Sequence, residues 1–455
     1  MIYTLNKKVI NINKMLIGIL LIISLIICWN IPLKGVVSLP LFYVCFSLML
    51  LSNYIFFNGK KKKNYLDFDT IFIFVYCLVG FSTTFFYYNS EIFTAVFLGF
   101  PVEEKYINYG NLLFLIGLQS YMLGSLTHIN IKENVDEKLI IKTNFLVFFV
   151  FVLIVSFFVF GGVNYYRSAY NTDVKAQSGE VVKYILLLLV TSAMALIGTE
   201  FYNKKIYSNY KISWFAFTAM FCLIGILLFI GNRTAASQIL LPIICLYALL
   251  FKNFNLKKFF IFIFIGIPFM WFFQQIRTNQ ASFELTNPIM IILDLTIPMK
   301  NTYTAVDYVQ INDYTYGESM IYNISGAIPF LPSIISDNFP KIIEGSAELL
   351  TDYTYLNHNT PDEFQIGLGT TIVADVYIAF GVVGVVLFMF ILGKYINILC
   401  LRSINLNYYS IIILTGFLGS AIFIVRGGYF HPFRFIIWAL ALASLNRYLH
   451  RAWKR

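Results

Sequence analysis

Stretches of roughly 20 apolar residues recur along this chain, and that recurrence leaves few folds open. In hydrocarbon every backbone N–H and C=O must find its partner within the protein, so only helices or a closed barrel can cross. Runs this long and continuous are helical. They read as twelve spans, near residues 15 to 33, 36 to 57, 70 to 88, 108 to 127, 139 to 160, 183 to 200, 212 to 230, 234 to 251, 257 to 276, 368 to 393, 408 to 425 and 431 to 448. The expected fold is all-α, a polytopic membrane protein with about 12 transmembrane helices forming a single integral membrane domain over residues 1–455. Only 12% of residues are charged and the mean hydropathy is +0.74, whereas a water-soluble domain carries about 25% charged residues. The first span is expected to be retained, since Ser38, Leu39 and Pro40 offer no convincing cleavage site and a second span follows at once.

Charge orients the bundle. With both termini in the cytoplasm, 22 of the 33 basic residues fall inside, including Lys60 to Lys63, Lys204, Lys205, Lys257, Lys258, Arg447 and Arg451. Only 6 of the 23 acidic residues join them. The net charge of +10 is thus a positive-inside signature rather than a nucleic-acid footprint. All six cysteines lie in or at the end of spans and read as packing residues.

Between the ninth and tenth spans, residues 278–366 form one large polar outer (periplasmic) loop. A membrane protein seldom keeps so long an insertion unless it handles a substrate. Within it, Asn287 to Met299 is apolar but too short to cross, and suits an interfacial or re-entrant helix. Tyr303, Tyr308, Tyr314, Tyr316, Tyr322, Tyr353 and Tyr355 offer faces for sugar rings or anchors at the headgroup layer.

Lysines outnumber arginines 24 to 9, yet five arginines lie on the outer side: Arg167, Arg233, Arg277, Arg426 and Arg434. Each sits at or close to an outer span end, where guanidinium groups grip phosphate oxygens bidentately and stay charged. Snorkelling to the interface explains any one of them, but lysine would snorkel equally well. The segment from Arg426 to Arg434 gathers two arginines, two glycines, His431 and Pro432. Pro432 is expected to start a helix, with His431 and Arg434 on one face of its first turn. The alternative is a tight turn with His431 packed in it.

Upstream, Asn357-His358-Asn359 is followed by Asp362 and Glu363, then by Gly367-Leu368-Gly369-Thr370-Thr371 entering a span that contains Asp375 and an expected kink at Phe380-Gly381-Val382-Val383-Gly384. An intramembrane carboxylate such as Asp375 is costly unless it faces a polar cavity, an arginine or the helix dipole. Asp67-Phe68-Asp69 has the spacing of an Asp-x-Asp metal motif, but it lies beside Lys60 to Lys63 and reads as a solvated helix start. Nothing else has metal-ligand spacing, and no phosphate-cradling Gly-rich loop is present, so no metal or cofactor is expected.

Gly231 and Arg233 opening one span, Arg277 ending the next, the long outer loop, Gly-Leu-Gly-Thr-Thr, and then Asp-Val-Tyr-Ile-Ala-Phe-Gly-Val-Val-Gly from Asp375 to Gly384 together resemble the oligosaccharide repeat-unit polymerase (O-antigen polymerase) family. The resemblance covers roughly residues 225–440. It implies a GT-C type glycosyltransferase of lipopolysaccharide biosynthesis in the bacterial inner membrane, with both termini cytoplasmic. The implied partners are the bilayer and undecaprenyl-diphosphate-linked oligosaccharides, with a chain-length regulator protein as a further candidate and no nucleic acid. Arg167, Arg233, Arg277, Arg426, His431 and Arg434 would bind the lipid-linked substrate, and His358, Asp375 or Glu363 would act as general base. His358-Asn359 matches a His-Asn pair of the related O-antigen ligases. A ligase, or a transporter or flippase of lipid-linked oligosaccharide, are the alternatives; a carrier would favour similar halves and polar midplane groups.

The orientation is testable. A cysteine introduced at Asn312 is expected to react with an impermeant thiol reagent in intact spheroplasts; labelling only after lysis would reverse the topology.

Overall fold

The structure is a computed structural model that describes residues 7–31, 37–87, 104–128, 139–168, 179–278, 294–328, 345–357 and 367–452. Among these residues every regular element is a helix. In chain order they are α1 (Lys7–Asn30), α2 (Leu39–Lys60), α3 (Phe68–Phe86), α4 (Glu104–Ser125), α5 (Asn144–Val159), α6 (Gly162–Ser168), α7 (Gly179–Ile206), α8 (Trp214–Phe229), α9 (Arg233–Leu250) and α10 (Leu256–Thr278). There follow α11 (Met299–Asn312), α12 (Glu318–Ser325), α13 (Ser346–Asn357), α14 (Ile372–Ile404), α15 (Tyr408–Ser420) and α16 (Phe433–Ala452). Ile10–Asn30, Leu39–Lys60, Val181–Ile206, Arg233–Leu250 and Ile372–Ile404 are long and apolar enough to cross a membrane. The chain is a helical membrane protein.

Several helices begin where a polar side chain satisfies an otherwise orphaned N–H. Ser38, Asp67, Asn232, Thr371 and Asn407 cap α2, α3, α9, α14 and α15 in this way. Packing then depends on small residues, because apolar side chains gain nothing by leaving lipid for each other. Gly124 of α4 and Gly393 of α14 lie so close to the opposing backbone that a Cβ on either would stand 2.0 Å from a carbonyl oxygen, of Phe390 and Tyr121 respectively. Gly419 also brings α15 close onto α9, where a Cβ would stand 2.5 Å from the Gln238 carbonyl oxygen. One group of helices, α1 to α3, packs on α4, which lies along α14, and another, α5, α7, α8, α9 and α16, gathers with α15.

Two expectations change here. The eleventh span is shorter than expected: α15 ends at Ser420, and residues 421–430 are turns that carry Arg426 beyond the helix. Asp67-Phe68-Asp69 is a helix start, as expected, but it is not solvated. Lys60 Nζ donates to Asp69 Oδ2 at 2.9 Å and Ser125 Oγ at 2.7 Å, while Lys62 Nζ pairs with Asp67 Oδ1 at 2.7 Å. Tyr121 Oη donates to Asp69 Oδ1 at 2.6 Å. The two carboxylates are thus spent on the lysine run that precedes them, and α2, α3, α4 and α14 are joined at this end, α14 through Asn397 at 3.5 Å.

Removing one member of a buried pair leaves the other charge uncompensated, at about 3–5 kcal/mol. Asp69→Ala is therefore expected to lower the melting temperature of the detergent-solubilised protein sharply, and Lys60→Met added to Asp69→Leu should recover part of the loss. A single Asp69→Ala variant that melts like the parent would show the network to be dispensable.

Candidate functional site

The elements that carry Arg233 and Arg426 meet at the turn that joins α15 to α16. Arg426 donates from Nη2 to the Asp294 carbonyl at 2.8 Å, and its Nε is buried without a hydrogen-bond partner among the described residues. Burial lowers its pKa, the Asp294 charge raises it, and the Arg233 charge lowers it again, so Arg233 and Arg426 share one electrostatic environment. Arg233 is the first residue of α9, after Gly231 in the left-handed region at φ +80° and the Asn232 cap. A cation there opposes the helix dipole, which favours anions at this end. The backbone thus brings two guanidinium groups and the Asp294 charge into one place.

Arg434 and His431 converge on Phe435 rather than on one helical face. The helix begins at Phe433, so His431 precedes it, contrary to expectation. Its ring lies 5.6 Å from the Phe435 ring, and the Arg434 guanidinium stands over the same ring at 4.8 Å. His431 Nε2 is buried with no hydrogen-bond partner among the described residues. Arg434 is within electrostatic reach of Tyr322 of α12 and Tyr166 of α6. Its neighbourhood therefore includes the helix that carries Arg167. Arg167 and Arg277 fall on α6 and α10, and their side chains lie outside the description.

Asp375 holds the turn in position. The carboxylate is 0% exposed; Ser346 Oγ donates to its Oδ1 at 2.6 Å, and the Tyr429 N–H donates to its Oδ2 at 2.7 Å. A third tie runs from the Ile372 N–H to the Val425 carbonyl at 3.1 Å. With both oxygens engaged, Asp375 binds α13 and the Arg426 turn to the start of α14. His358 and Glu363, the other two base candidates, lie outside the described residues.

The described residues between α10 and α14 are folded onto the bundle. Thr302 and Thr371 share a 2.7 Å hydroxyl contact, and Asn301 Nδ2 donates to the Gly369 carbonyl. Asp307 accepts from Tyr106 Oη at 2.7 Å and Tyr353 Oη at 2.9 Å, joining α11 to α4 and α13. At Gly381 the long helix breaks, with φ +65° and ψ −158°. The Thr315 N–H takes the Ile378 carbonyl at 2.9 Å, and a Cβ on Gly381 would stand 2.9 Å from Tyr314 Oη. Most loop tyrosines are thus spent on structure: Tyr303 and Tyr355 are buried, whereas Tyr316 is 75% exposed and free to stack.

Lys300 escaped sequence reasoning. It sits in the first turn of α11 at 3% exposure, and burial pushes its ammonium down to about 7. A lysine that is half-neutral near physiological pH is a functional candidate. Its signal was present: a cation just after the apolar run from Asn287 to Met299, at a helix start that disfavours it. No family model, curated protein or solved structure matches the chain.

The Lys300 shift has a definite sign. Its folded pKa lies below 10.5, so the unfolded chain binds more protons between pH 7 and 10.5 and stability rises across that window. The burial penalty is complete below pH 7. Lys300→Met is expected to melt higher than the parent at acidic pH, with the gain fading as pH approaches 10.5; a gain independent of pH would mean that Lys300 does not titrate in this window.

Proposed function

We propose that this chain crosses the bacterial inner membrane twelve times as a GT-C type glycosyltransferase. It polymerises undecaprenyl-diphosphate-linked oligosaccharide repeats into surface polysaccharide at the outer face. One observation carries the reading: Arg426 is buried beside Arg233 with an Nε donor unpaired among the described residues, in a turn that also bears His431 and leads into α16 at Arg434. Cleaving a sugar from its lipid diphosphate develops negative charge on the leaving phosphate, and fixed guanidinium groups stabilise that charge without reorganising. The acceptor hydroxyl needs a general base in hydrogen-bond reach. His358 or Glu363 fills that role in preference to Asp375, whose two oxygens already accept hydrogen bonds from Ser346 and Tyr429.

The Gly381 break in α14 favours a second reading, a carrier of lipid-linked oligosaccharide, because broken helices mark transport sites. One genetic experiment separates the two. Deleting the gene is expected to leave a single repeat on each lipopolysaccharide core in gels, whereas loss of a flippase or ligase leaves none attached. Complementation with Arg233→Ala or Arg426→Ala should lower polymerisation by ~10²-fold, the scale of losing a charge-stabilising donor, and lysine at either position should restore part of it. Full ladders from both alanine variants at normal expression would remove the diphosphate clamp.

A further inference from the structure

At the lysine-rich end of the bundle, far along α2 and α14 from the arginine turn, α2, α3 and the start of α10 enclose a groove of about 660 Å³. Its wall on α2 is a helical stripe from Met49 through Asn53 and Phe57 to Lys61. Ile73, Phe74 and Cys77 line it from α3, and Leu256, Phe259 and Phe260 from α10. From Met49 to Lys61 the stripe runs ~18 Å at 1.5 Å per residue. That is about one leaflet of a hydrocarbon core ~30 Å thick. The groove is apolar along its length and cationic at one end.

The cations at that end are not spent. Lys60 and Lys62 turn inward to Asp69 and Asp67. Lys61 and Lys63, between and after them, are exposed with no acidic partner among the described residues. Lys257, also exposed, stands beside Leu256 at the start of the helix that closes the groove, whereas Lys258 lies on another face, its ammonium 5.6 Å over the Phe254 ring. The Tyr65 N–H donates to the Phe254 carbonyl at 2.8 Å and pins the two lysine-bearing segments together. Apolar walls alone do not select one lipid from another, because they resemble the tails around them. Fixed lysines at headgroup level do select, by charge.

We propose that this groove binds one anionic phospholipid of the lysine-side leaflet, with its phosphate at Lys61 and Lys257 and an acyl chain between α2, α3 and α10. The site is independent of the polymerase reading, since it uses none of the arginine residues. It gives the bundle an annular lipid whose headgroup bridges α2 to α10.

The test uses the full chain with Phe74→Trp, reconstituted in phosphatidylcholine vesicles that contain a minor fraction of brominated-chain phosphatidylglycerol or brominated-chain phosphatidylcholine. Quenching of the added tryptophan is expected to favour phosphatidylglycerol. Lys61→Glu and Lys257→Glu should each reduce that preference by at least about fivefold, the factor supplied by one cation near an anionic lipid, since each also adds an anion. Lys211→Glu, exposed outside the groove, should not change it. Equal quenching by both lipids, absence of quenching because protein fills the groove, or an equal loss on Lys211→Glu would each overturn the proposal. Native mass spectrometry of the unlabelled protein and the two groove variants reads lipid retention independently of Phe74→Trp, with the same expected order.

Discussion

Asp375 is a carboxylate with no exposed surface in the first turn of the longest helix, and such a group costs several kcal/mol unless its oxygens are bound. Its position near the N-terminus of α14 supplies part of the compensation through the helix dipole. The remainder comes from Ser346 and the Tyr429 N–H, which belong to two segments far apart in sequence. Satisfying one buried charge therefore fixes α13 against α14 and the α15–α16 turn against both. Arg426 lies three residues before Tyr429, so its place beside Arg233 follows from the same constraint.

The two ends of the bundle treat charge in opposite ways. At the lysine-rich end, Lys60, Lys62, Asp67 and Asp69 neutralise one another, which makes the cluster a strut rather than a site. At the other end, Arg426 donates to a backbone carbonyl and lies between the opposed charges of Asp294 and Arg233, with its Nε donor unpaired among the described residues. Buried cations are retained without anions only at a cost, and a site that binds an anion recovers that cost on binding. The proposed diphosphate clamp rests on this unpaired donor rather than on the number of arginines.

Helical periodicity and hydropathy were legible, because a bilayer leaves a long apolar run no other way to satisfy its backbone. So were the kink at Gly381 and the start of α9 at Arg233, each marked by glycine where the backbone needs positive φ. Of the five arginines singled out from composition, Arg233 and Arg426 share one environment. What escaped notice depends on tertiary contact: the inward turn of Lys60 and Lys62, the occupied oxygens of Asp375 and the burial of Lys300 all need a neighbour from another part of the chain. Asp67-Phe68-Asp69 shows the difficulty. Its spacing fits a metal pair, a solvated cap or an ion network, and only the fold of α2 over α3 selects the last.

The tyrosines give the clearest view of what the outer loop is for. A loop that merely shielded the bundle would turn its aromatic faces to lipid or water. Here Tyr353 and Tyr106 clasp Asp307, Tyr303 packs under Gly110, and Tyr314 fits against the break at Gly381. Thr302, Ser346 and Thr315 meet α14 at three levels, Thr371, Asp375 and Ile378. Each contact adds to the stiffness of the wall that holds the arginine turn. Electrostatic stabilisation of a leaving group works through donors already fixed when charge develops, so rigidity in the loop is itself a contribution to the chemistry proposed for the turn.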